Sequence, residues 1–411
     1  MLHFLNRQKP YIVIAAVLAF TALLYLINVT IVKNIPAGTD FLVHWQGSAG
    51  LLRDGIDPYS DAAIGNILSA ASTNGFRLTA EEIRYNSPLF ALLFYAPVSL
   101  IRNFGVARAV WMTFLEFTLI GCGILSITMV PVKKPGWIAA ISMVFLVLSS
   151  LSVSSLMQGG SHILALFFVL LAVYMQVNGA EDASGLFLAL ALIKPDYVYL
   201  AVLLILARSV ITRRYRIVWW FLGTLVMLVG FTLLLVPNWP LQYFLGNVNT
   251  IPVNAVGTPG YVEQLWGNAD IARRLLIAKD VGLILILVYE WVLVKNQGKL
   301  RLVWAGCLSL VVSALIGKSL NTVGMLNTLP VIIIGFAFLY QRWTNQASMV
   351  YILILVSIFA LLWVFSGMLI SDFPLVFMKI FSLFLLPLMA VLILYWVRWW
   401  VTRSSKFGDG L

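Results

Sequence analysis

The amino-acid sequence predicts an all-α, polytopic integral membrane protein with about twelve transmembrane helices. Of its residues 61% are hydrophobic and only 10% are charged, whereas soluble domains contain about 45–50% apolar and about 25% charged residues. The apolar residues form blocks of about 15 to 25, the length that a helix needs to cross a hydrocarbon core. Because a backbone in lipid must satisfy its own hydrogen bonds, we expect these blocks to be helices.

Polar turns of different lengths separate the apolar segments. The segments cover residues 10–32, 88–101, 106–130, 137–155, 161–178, 184–207, 217–236, 276–294, 301–316, 328–341, 348–370 and 375–400. The first follows Arg7 and Lys9 as the core of a signal peptide would, but it is too long and lacks a small-residue cleavage site. We therefore expect it to remain as the first transmembrane helix.

The basic residues predict the orientation. With a cytoplasmic N-terminus, simple alternation places most of the basic turns inside, as the positive-inside rule requires. These residues are Arg208, Arg213, Arg214, Arg216, Lys295, Lys299, Arg301, Arg398, Arg403 and Lys406. Lys133 and Lys134 fall outside, against the rule. A re-entrant pair among the short or uneven segments 88–101 and 137–155 would change the parity there.

Other classes of protein and site are less compatible with this composition. The net charge of +11 is spread over loops rather than gathered on one basic face with aromatic residues, so it does not indicate nucleic-acid binding. Cys122 and Cys307 both lie in apolar segments and have no metal-like partner spacing, so we expect neither a disulfide nor a cysteine metal site.

Two predicted outer loops, 33–87 and 237–275, are long enough to do more than connect helices. The first contains a helix-compatible run over 41–53, a turn over 55–58 with Gly55 suited to a left-handed helix end, and a second run over 61–71. Thr79 and Glu82 have the spacing of a capping box for a short helix. The second loop is rich in proline, glycine and asparagine, which predicts turns.

Asp40 is the first candidate for chemistry, because a carboxylate at the end of the first transmembrane helix could act as a general base on a hydroxyl at the membrane surface. The alternative is an N-cap for a helix that begins at Phe41, since aspartate is a preferred capping residue. Spacing alone favours the cap, although one residue could serve both purposes.

Lys194 is the second candidate, because an ionisable residue inside an apolar segment indicates function by default. Its ammonium group suits a phosphate, and the alternative is an ion pair with Asp196 or snorkelling to the headgroups. Asp57 and Tyr59 could face a sugar or phosphate, but their turn is better explained as a simple bend after the first helical run.

For several further polar residues the sequence is compatible with either a structural or a functional role. Glu116, Gln158 and His162 lie in or beside apolar segments, where interhelical hydrogen bonds are as common as ligand contacts. His162 alone does not make a metal site. Arg273 and Lys318 add cations on the predicted outer side, where they could stabilise a leaving group with negative charge.

The order of these features resembles the polyprenol-phosphate-sugar-dependent glycosyltransferases of the GT-C superfamily, and most closely glycosyltransferase family 87, the alpha-mannosyltransferase-like group. The resemblance extends over nearly the whole chain. It rests on Asp40-Phe41 with Trp45, Leu51-Leu52, the turn 55–59, Tyr85 to Leu89, Ala107 to Trp111, Gln158-Gly159, and Gly185 to Lys194-Pro195.

The resemblance implies a single GT-C transmembrane domain over 1–411, with juxtamembrane helices in the first outer loop. It implies transfer of a sugar, mannose in the nearest group, from a polyprenyl-phosphate donor to a lipid-linked or glycan acceptor hydroxyl at the outer face of the plasma membrane. The configuration would invert, with Asp40 as the base. Substrate-binding candidates are His44, Trp45, Asp57, Tyr59, Arg84, Tyr85, Asn86, Gln158, Lys194, Asn268, Arg273 and Lys318.

Two other functions are compatible with the same composition. A lipid or solute transporter would use the outer loops as gates, but the sequence shows no internal repeat of the kind that many transporters have. A scaffold for envelope assembly would leave Asp40 as a helix cap. We also predict that catalysis needs neither a cofactor nor a divalent metal, because the outer loops lack a close carboxylate cluster such as Asp-x-Asp.

Overall fold

The structure is a computed structural model of the chain. It describes residues 2–78, 83–131, 135–249, 267–294, 298–316, 323–342, 346–370 and 376–402. Over these ranges the protein is helical and contains no strand, which confirms the all-α prediction. The predicted capping box at Thr79 and Glu82 and the site candidate Lys318 lie outside the described residues.

The helices follow one another with short breaks. The N-terminal half contains α1 (Leu2–Asn34), α2 (Thr39–Asp54), α3 (Asp61–Thr73), α4 (Leu92–Ser99), α5 (Phe104–Thr128), α6 (Gly136–Leu148), α7 (Ser150–Gln158), α8 (His162–Val177), α9 (Glu181–Ala191) and α10 (Tyr199–Ile211). Then come α11 (Tyr215–Leu235), α12 (Trp239–Asn249), α13 (Ala269–Val294), α14 (Lys299–Leu315), α15 (Thr328–Arg342), α16 (Gln346–Ile370) and α17 (Val376–Thr402). Three-residue and four-residue 3₁₀ turns lie at Leu89–Ala91, Pro195–Tyr197 and Gly324–Asn327.

Three helices among the described residues are long and apolar enough to cross a membrane. They are Tyr11–Asn34 of α1, α5 and α11, and α6 with α7 makes a fourth if that bent pair, with an angle of 47°, is one broken span. Several other apolar helices are shorter. The membrane character is therefore confirmed, while the number of about twelve crossings stays a prediction.

Helices α1 and α5 pack antiparallel. Phe20 and Phe117 meet edge to face with ring centroids 6.1 Å apart, Asn28 donates to Glu116 Oε2 at 3.0 Å, and Arg108 donates to the carbonyl of Ile35 at 3.1 Å. Residue numbers that rise along α1 therefore pair with residue numbers that fall along α5. The end of α1 at Asn34 lies beside the start of α5, and α5 leads away from the first loop.

The predicted crossing at 88–101 is not among the candidate spans of the described residues. His44 on α2 contacts Ser87 Oγ at 2.7 Å, and the next residue, Trp45, donates its indole N–H to the carbonyls of Val98 and Ile101 at 3.1 and 3.2 Å. Both ends of the segment therefore contact one turn of α2. Together with the 3₁₀ turn before it, α4 forms one apolar helix over Leu89–Ser99, about 16 Å long. This is about half of the hydrocarbon thickness, and the run packs along α2.

The predicted segment 184–207 is two helices with a turn between them. Pro195 has no backbone N–H to continue α9, and Lys194 at the turn donates to Asn86 Oδ1 at 2.5 Å. At the other end of α9, Asp182 accepts from Arg216 at 2.6 Å. Helix α9 therefore runs from the arginine cluster at 208–216 to the first loop, and α10 returns.

Both features of the fold change the number of crossings that is counted before each turn, and hence the side of the membrane on which each turn is predicted to lie. Helix α5 begins beside the end of α1 and leads away from it, so Thr128 lies at the end of α5 remote from Asp40. Lys133 and Lys134 follow that helix in the sequence and lie outside the described residues. If 88–101 is not counted as a crossing, simple alternation predicts a cytoplasmic position for this turn, in agreement with the positive-inside rule.

Both predicted outer loops contain helices. In the first, α2 and α3 replace the expected runs 41–53 and 61–71 with slightly longer bounds, and Gly55 adopts the left-handed conformation at φ 67° as predicted. The second loop was predicted as turns, but its first part forms α12. Proline at the second position of α12 is compatible with a helix because no intrahelical donor is needed there.

The core is built around α14, in which every residue from Arg301 to Leu315 is buried. Trp304 on this helix donates to the carbonyl of Leu394 in α17 at 2.7 Å. At the first-loop end, Asn327 donates to the carbonyl of Tyr197 at 2.9 Å, so the C-terminal half supports the turn that carries Lys194. Cys122 and Cys307 are both free and buried.

The packing of α9 on α11 tests this architecture. A Cβ on Gly185 would lie 2.3 Å from the Ile217 carbonyl oxygen and 2.9 Å from the Phe221 backbone nitrogen. We expect Gly185→Ala to destabilise the protein by about 1–3 kcal/mol, the usual cost of overpacking. Thermal unfolding in detergent measures this, with Gly223→Ala on α11 as the control because nothing lies near its Cβ position. An unchanged melting temperature for Gly185→Ala would contradict the packing.

Candidate active site

Asp40 lies in the first turn of α2, where the chain leaves α1. The hinge depends on Gly38, whose φ of 100° is unfavourable for residues with a side chain. Gly38 is the N-cap of α2, and no side chain caps the helix, so the interpretation of Asp40 as an N-cap is wrong. The carboxylate is free to point elsewhere, and 28% of the Asp40 side chain is exposed among buried neighbours.

Arg108 joins the chain segments that surround Asp40. Its guanidinium donates to the carbonyl of Ile35 after α1 at 3.1 Å and to the carbonyl of Met157 in α7 at 3.2 Å. The side chain is almost fully buried and lies under Gly38, where a Cβ would be 2.7 Å from Arg108 Nε. Two helix-terminal carbonyls are thereby satisfied by one residue.

Two glycines between α7 and α8 let the backbone approach Asp40. Gly159 ends α7 at φ 69°, and its carbonyl accepts from the indole of Trp111 at 2.7 Å. A Cβ on Gly160 would lie 2.2 Å from Asp40 Oδ2 and 2.8 Å from His162 Nδ1. Only glycine leaves room at this position, and the carboxylate and the imidazole face each other across it.

His44, Ser87 and Lys194 form a polar network next to Asp40. His44 Nδ1 is 2.7 Å from the Asp40 carbonyl oxygen, which can only accept, so Nδ1 carries the proton and Nε2 accepts. Nε2 then accepts from Ser87 Oγ at 2.7 Å, and Ser87 Oγ accepts from Lys194 Nζ at 3.3 Å. Lys194 also donates to Asn86, which leaves one of its three N–H donors for a ligand.

The charges of this network keep Asp40 ionised. Burial acts to raise the pKa of the Asp40 carboxyl, but attraction from Lys194, and then from His44 and His162, outweighs burial and lowers the pKa below 3.8. Burial lowers the pKa of His44 to about 4, aided by Lys194 and opposed by Asp40. At neutral pH the site therefore contains a carboxylate, a neutral His44 and one buried lysine.

The turn after α2 contacts the network of His44, Ser87 and Lys194 through Tyr59. Burial raises the pKa of the Tyr59 hydroxyl, which stays protonated and donates to the Ser87 carbonyl at 2.6 Å. Asp57 Oδ1 accepts from the Tyr59 backbone N–H and Oδ2 from Gln242 Nε2, both at 2.9 Å. Tyr85 packs on His44 with ring centroids 5.0 Å apart.

The structure thus brings together one part of the predicted site set. Asp40, His44, Tyr85, Asn86 and Lys194 form the centre, with Gln158 attached through a hydrogen bond from Thr39 at 3.1 Å. Asp57 and Tyr59 support the centre, and Trp45 directs its N–H into α4.

Other predicted residues lie apart from these contacts. Arg84 and Arg273 are exposed, and none of the described contacts joins them to Asp40. Asn268 accepts from the backbone N–H groups of Asp270 and Ile271 at 2.9 and 3.2 Å, so it caps α13.

Three residues of the site were not among the predicted site residues. Ser87 and Arg108 were included only within family-like motifs, and His162 was left open between an interhelical hydrogen bond and a ligand contact. His162 is nearly fully buried with Nε2 unpartnered. A useful signal was its position next to two glycines. Among the described residues no three His, Cys, Asp or Glu side chains are grouped as metal ligands, and metal-independent catalysis stays a prediction.

Comparison with known proteins supports a sugar-transfer function. The model of glycosyltransferase family 87 matches residues 85–366. The matched region includes Tyr85, Asn86, Ser87, His162 and Lys194, whereas Asp40 and His44 precede it. No curated protein matches the chain.

The role of Lys194 as the fixed charge of the site is testable. Lys194→Met removes the strongest attraction on the Asp40 carboxylate while burial remains, so the pKa of Asp40 should rise. Difference infrared spectroscopy, with Asp40→Asn identifying the carboxyl band, measures the change. Lys279→Met is the control, because Lys279 pairs with Asp280 at 2.9 Å and should leave the band unchanged. An Asp40 band that titrates as in the wild type would refute the assignment.

Proposed function

The chain belongs to glycosyltransferase family 87 and is therefore a membrane glycosyltransferase, and we propose that it moves a sugar from a polyprenyl-phosphate donor to an acceptor hydroxyl with Asp40 as the general base. The observation that carries this proposal is the ionised, partly exposed Asp40 carboxylate at the meeting point of α1, α2, α5 and the turn between α7 and α8.

The chemistry begins at the acceptor. Asp40 accepts the hydroxyl proton as the oxygen attacks the anomeric carbon of the donor, and the bond between that carbon and the phosphate oxygen breaks. Attack opposite the leaving group inverts the configuration, and polyprenyl phosphate leaves with the bonding electrons. General base catalysis of this kind contributes about 10²–10⁴-fold to the rate. His44 is neutral and donates to the Asp40 carbonyl, so it positions the helix turn.

Lys194 is our candidate for the donor phosphate. It has one free N–H, it is held by Asn86 and Ser87, and its positive charge opposes the negative charge that develops on the leaving oxygen. Because Lys194 attracts the Asp40 carboxylate, the same cation can keep the base ionised and stabilise the departing phosphate.

The orientation is supported by the charges at the two ends of the fold. Asp182, Arg214 and Arg216 lie at the end of α9 remote from Lys194, and Arg208 and Arg213 belong to the same cluster. The positive-inside rule favours a cytoplasmic position for that end, which supports our proposal that Asp40 lies on the outer side of the plasma membrane. Mannose is the proposed sugar because the sequence resembles the mannosyltransferase-like group. A lipid-linked or glycan acceptor follows from this location.

Removing the base should abolish transfer. We expect Asp40→Asn to lower the rate of sugar transfer by about 10²–10⁴-fold with little effect on folding. Transfer of radiolabelled mannose from polyprenyl phosphate by the purified protein measures the rate, and nuclear magnetic resonance of the product determines its anomeric configuration. Asp61→Asn is the matched control, because Asp61 is also in a first helical turn but is exposed. Wild-type transfer by Asp40→Asn, or retention of configuration, would contradict the mechanism.

Displacing the base without removing it should also impair transfer. Gly160→Ala forces the Asp40 carboxylate to move, because a methyl group would lie 2.2 Å from Oδ2. A displacement of about 1 Å costs about 10²-fold in rate. Gly65→Ala on α3 is the control, since its Cβ position is open and alanine favours the helix. Equal transfer rates for the two variants would show that Gly160 does not position Asp40.

A further inference from the structure

Helix α12 exposes an apolar face. Leu241, Phe244 and Leu245 are 64%, 67% and 52% exposed, and their spacing of three and four residues places them on one side of the helix. The helix contains no charged residue. An exposed apolar surface of this kind marks contact with another molecule or with a membrane.

The opposite face of α12 holds the helix against the candidate active site. Trp239 and Tyr243 are buried, and Trp239 meets Phe90 edge to face with ring centroids 6.2 Å apart. Gln242 donates to Asp57 Oδ2 at 2.9 Å. These contacts fix α12 on the Asp40 side of the fold. The apolar face of the helix therefore points away from the rest of the protein.

The preceding helix indicates what covers this face. Helix α11 is one of the three candidate membrane spans, and Phe231 and Leu234 near its end are 64% and 83% exposed, as residues that face lipid would be. Only residues 236–238 separate α11 from α12. The apolar surface of α12 thus continues the lipid-facing surface of α11 around the corner at Pro237.

We propose that α12 is an interfacial helix that binds lipid acyl chains through Leu241, Phe244 and Leu245, in the leaflet on the Asp40 side. An amphipathic helix buries its apolar face about 5–10 Å into the boundary between headgroups and acyl chains. Its position in the membrane is independent of the proposed function.

The second part of the proposal rests on the proposed function. A continuous chain of hydrogen bonds leads from α12 to the site: Gln242 to Asp57, Asp57 to the Tyr59 backbone, Tyr59 to the Ser87 carbonyl, and Ser87 to His44 and Lys194. Gln242 is therefore a positioning residue. It ties the network that surrounds Asp40 to a helix seated in the leaflet from which a lipid-linked donor arrives.

Nitroxide labelling tests the location of α12 without any measurement of activity. A cysteine replaces Phe244 and is labelled in protein reconstituted into phosphatidylcholine and phosphatidylglycerol vesicles, and the native cysteines are buried. Electron paramagnetic resonance then compares collision with oxygen, which concentrates in lipid, and with a water-soluble nickel chelate. Met227→Cys on the exposed side of α11 is the lipid reference, and Asn66→Cys on the exposed side of α3 is the water reference.

We expect the label at position 244 to behave like the label at position 227. Access to the nickel chelate equal to that at position 66 would overturn the proposal, because the face would be in water. Protection from both reagents would also overturn it, because a protein segment or a second copy of the chain would then cover the face.

The role of Gln242 is tested by a pair of substitutions. Gln242→Leu removes the donor to Asp57 and should lower kcat/KM for sugar transfer by about tenfold, whereas Gln242→Lys still donates to the carboxylate and should retain most of it. Wild-type kcat/KM for Gln242→Leu, or an equal loss in both variants, would refute the positioning role. If Asp40→Asn were fully active, the proposed base would be wrong, while the labelling result for α12 would still stand.

Discussion

The structure of the site depends on keeping an ionised carboxylate among buried groups. Burial alone would favour the neutral acid, and the Asp40 carboxylate stays charged because Lys194 lies near it and because the first turn of α2 favours a negative charge. Lys194 is itself buried and requires its own acceptors, which Asn86 and Ser87 supply. The helix order of the N-terminal half serves to bring these few groups to one place.

The breaks in the helices gather at this place for a physical reason. An irregular backbone within an apolar fold leaves N–H and C=O groups without helical partners, and such groups are tolerated only where protein or a polar cavity satisfies them. The hinge between α1 and α2, the glycine turn between α7 and α8, and the turn between α9 and α10 all meet near Asp40. Arg108 and Trp111 satisfy carbonyls at the first two, and Asn327 satisfies one at the third.

The two halves of the proposed chemistry come from different parts of the chain. The carboxylate belongs to the first loop, ahead of the region that matches the family, and the lysine lies inside that region. His44 and Ser87 connect them directly. The first loop therefore completes a site whose cationic half is built at the turn between α9 and α10, and α12 contacts the loop through Gln242 and Asp57.

The sequence by itself determined the membrane class and the all-helical fold, and it predicted the first loop as the location of the site with Asp40 and Lys194 as its charged groups. The class and the fold follow from composition, and Lys194 follows from a charge inside an apolar segment, which are local properties. The preference for Asp40 as a base over a helix cap came from the family resemblance. Tertiary structure alone decided that 88–101 packs along α2, that 184–207 turns at Lys194, and that Arg108, Ser87 and His162 belong to the site. An apolar run of about a dozen residues looks the same whether lipid or protein covers it, so only its contacts distinguish a crossing from a buried loop helix.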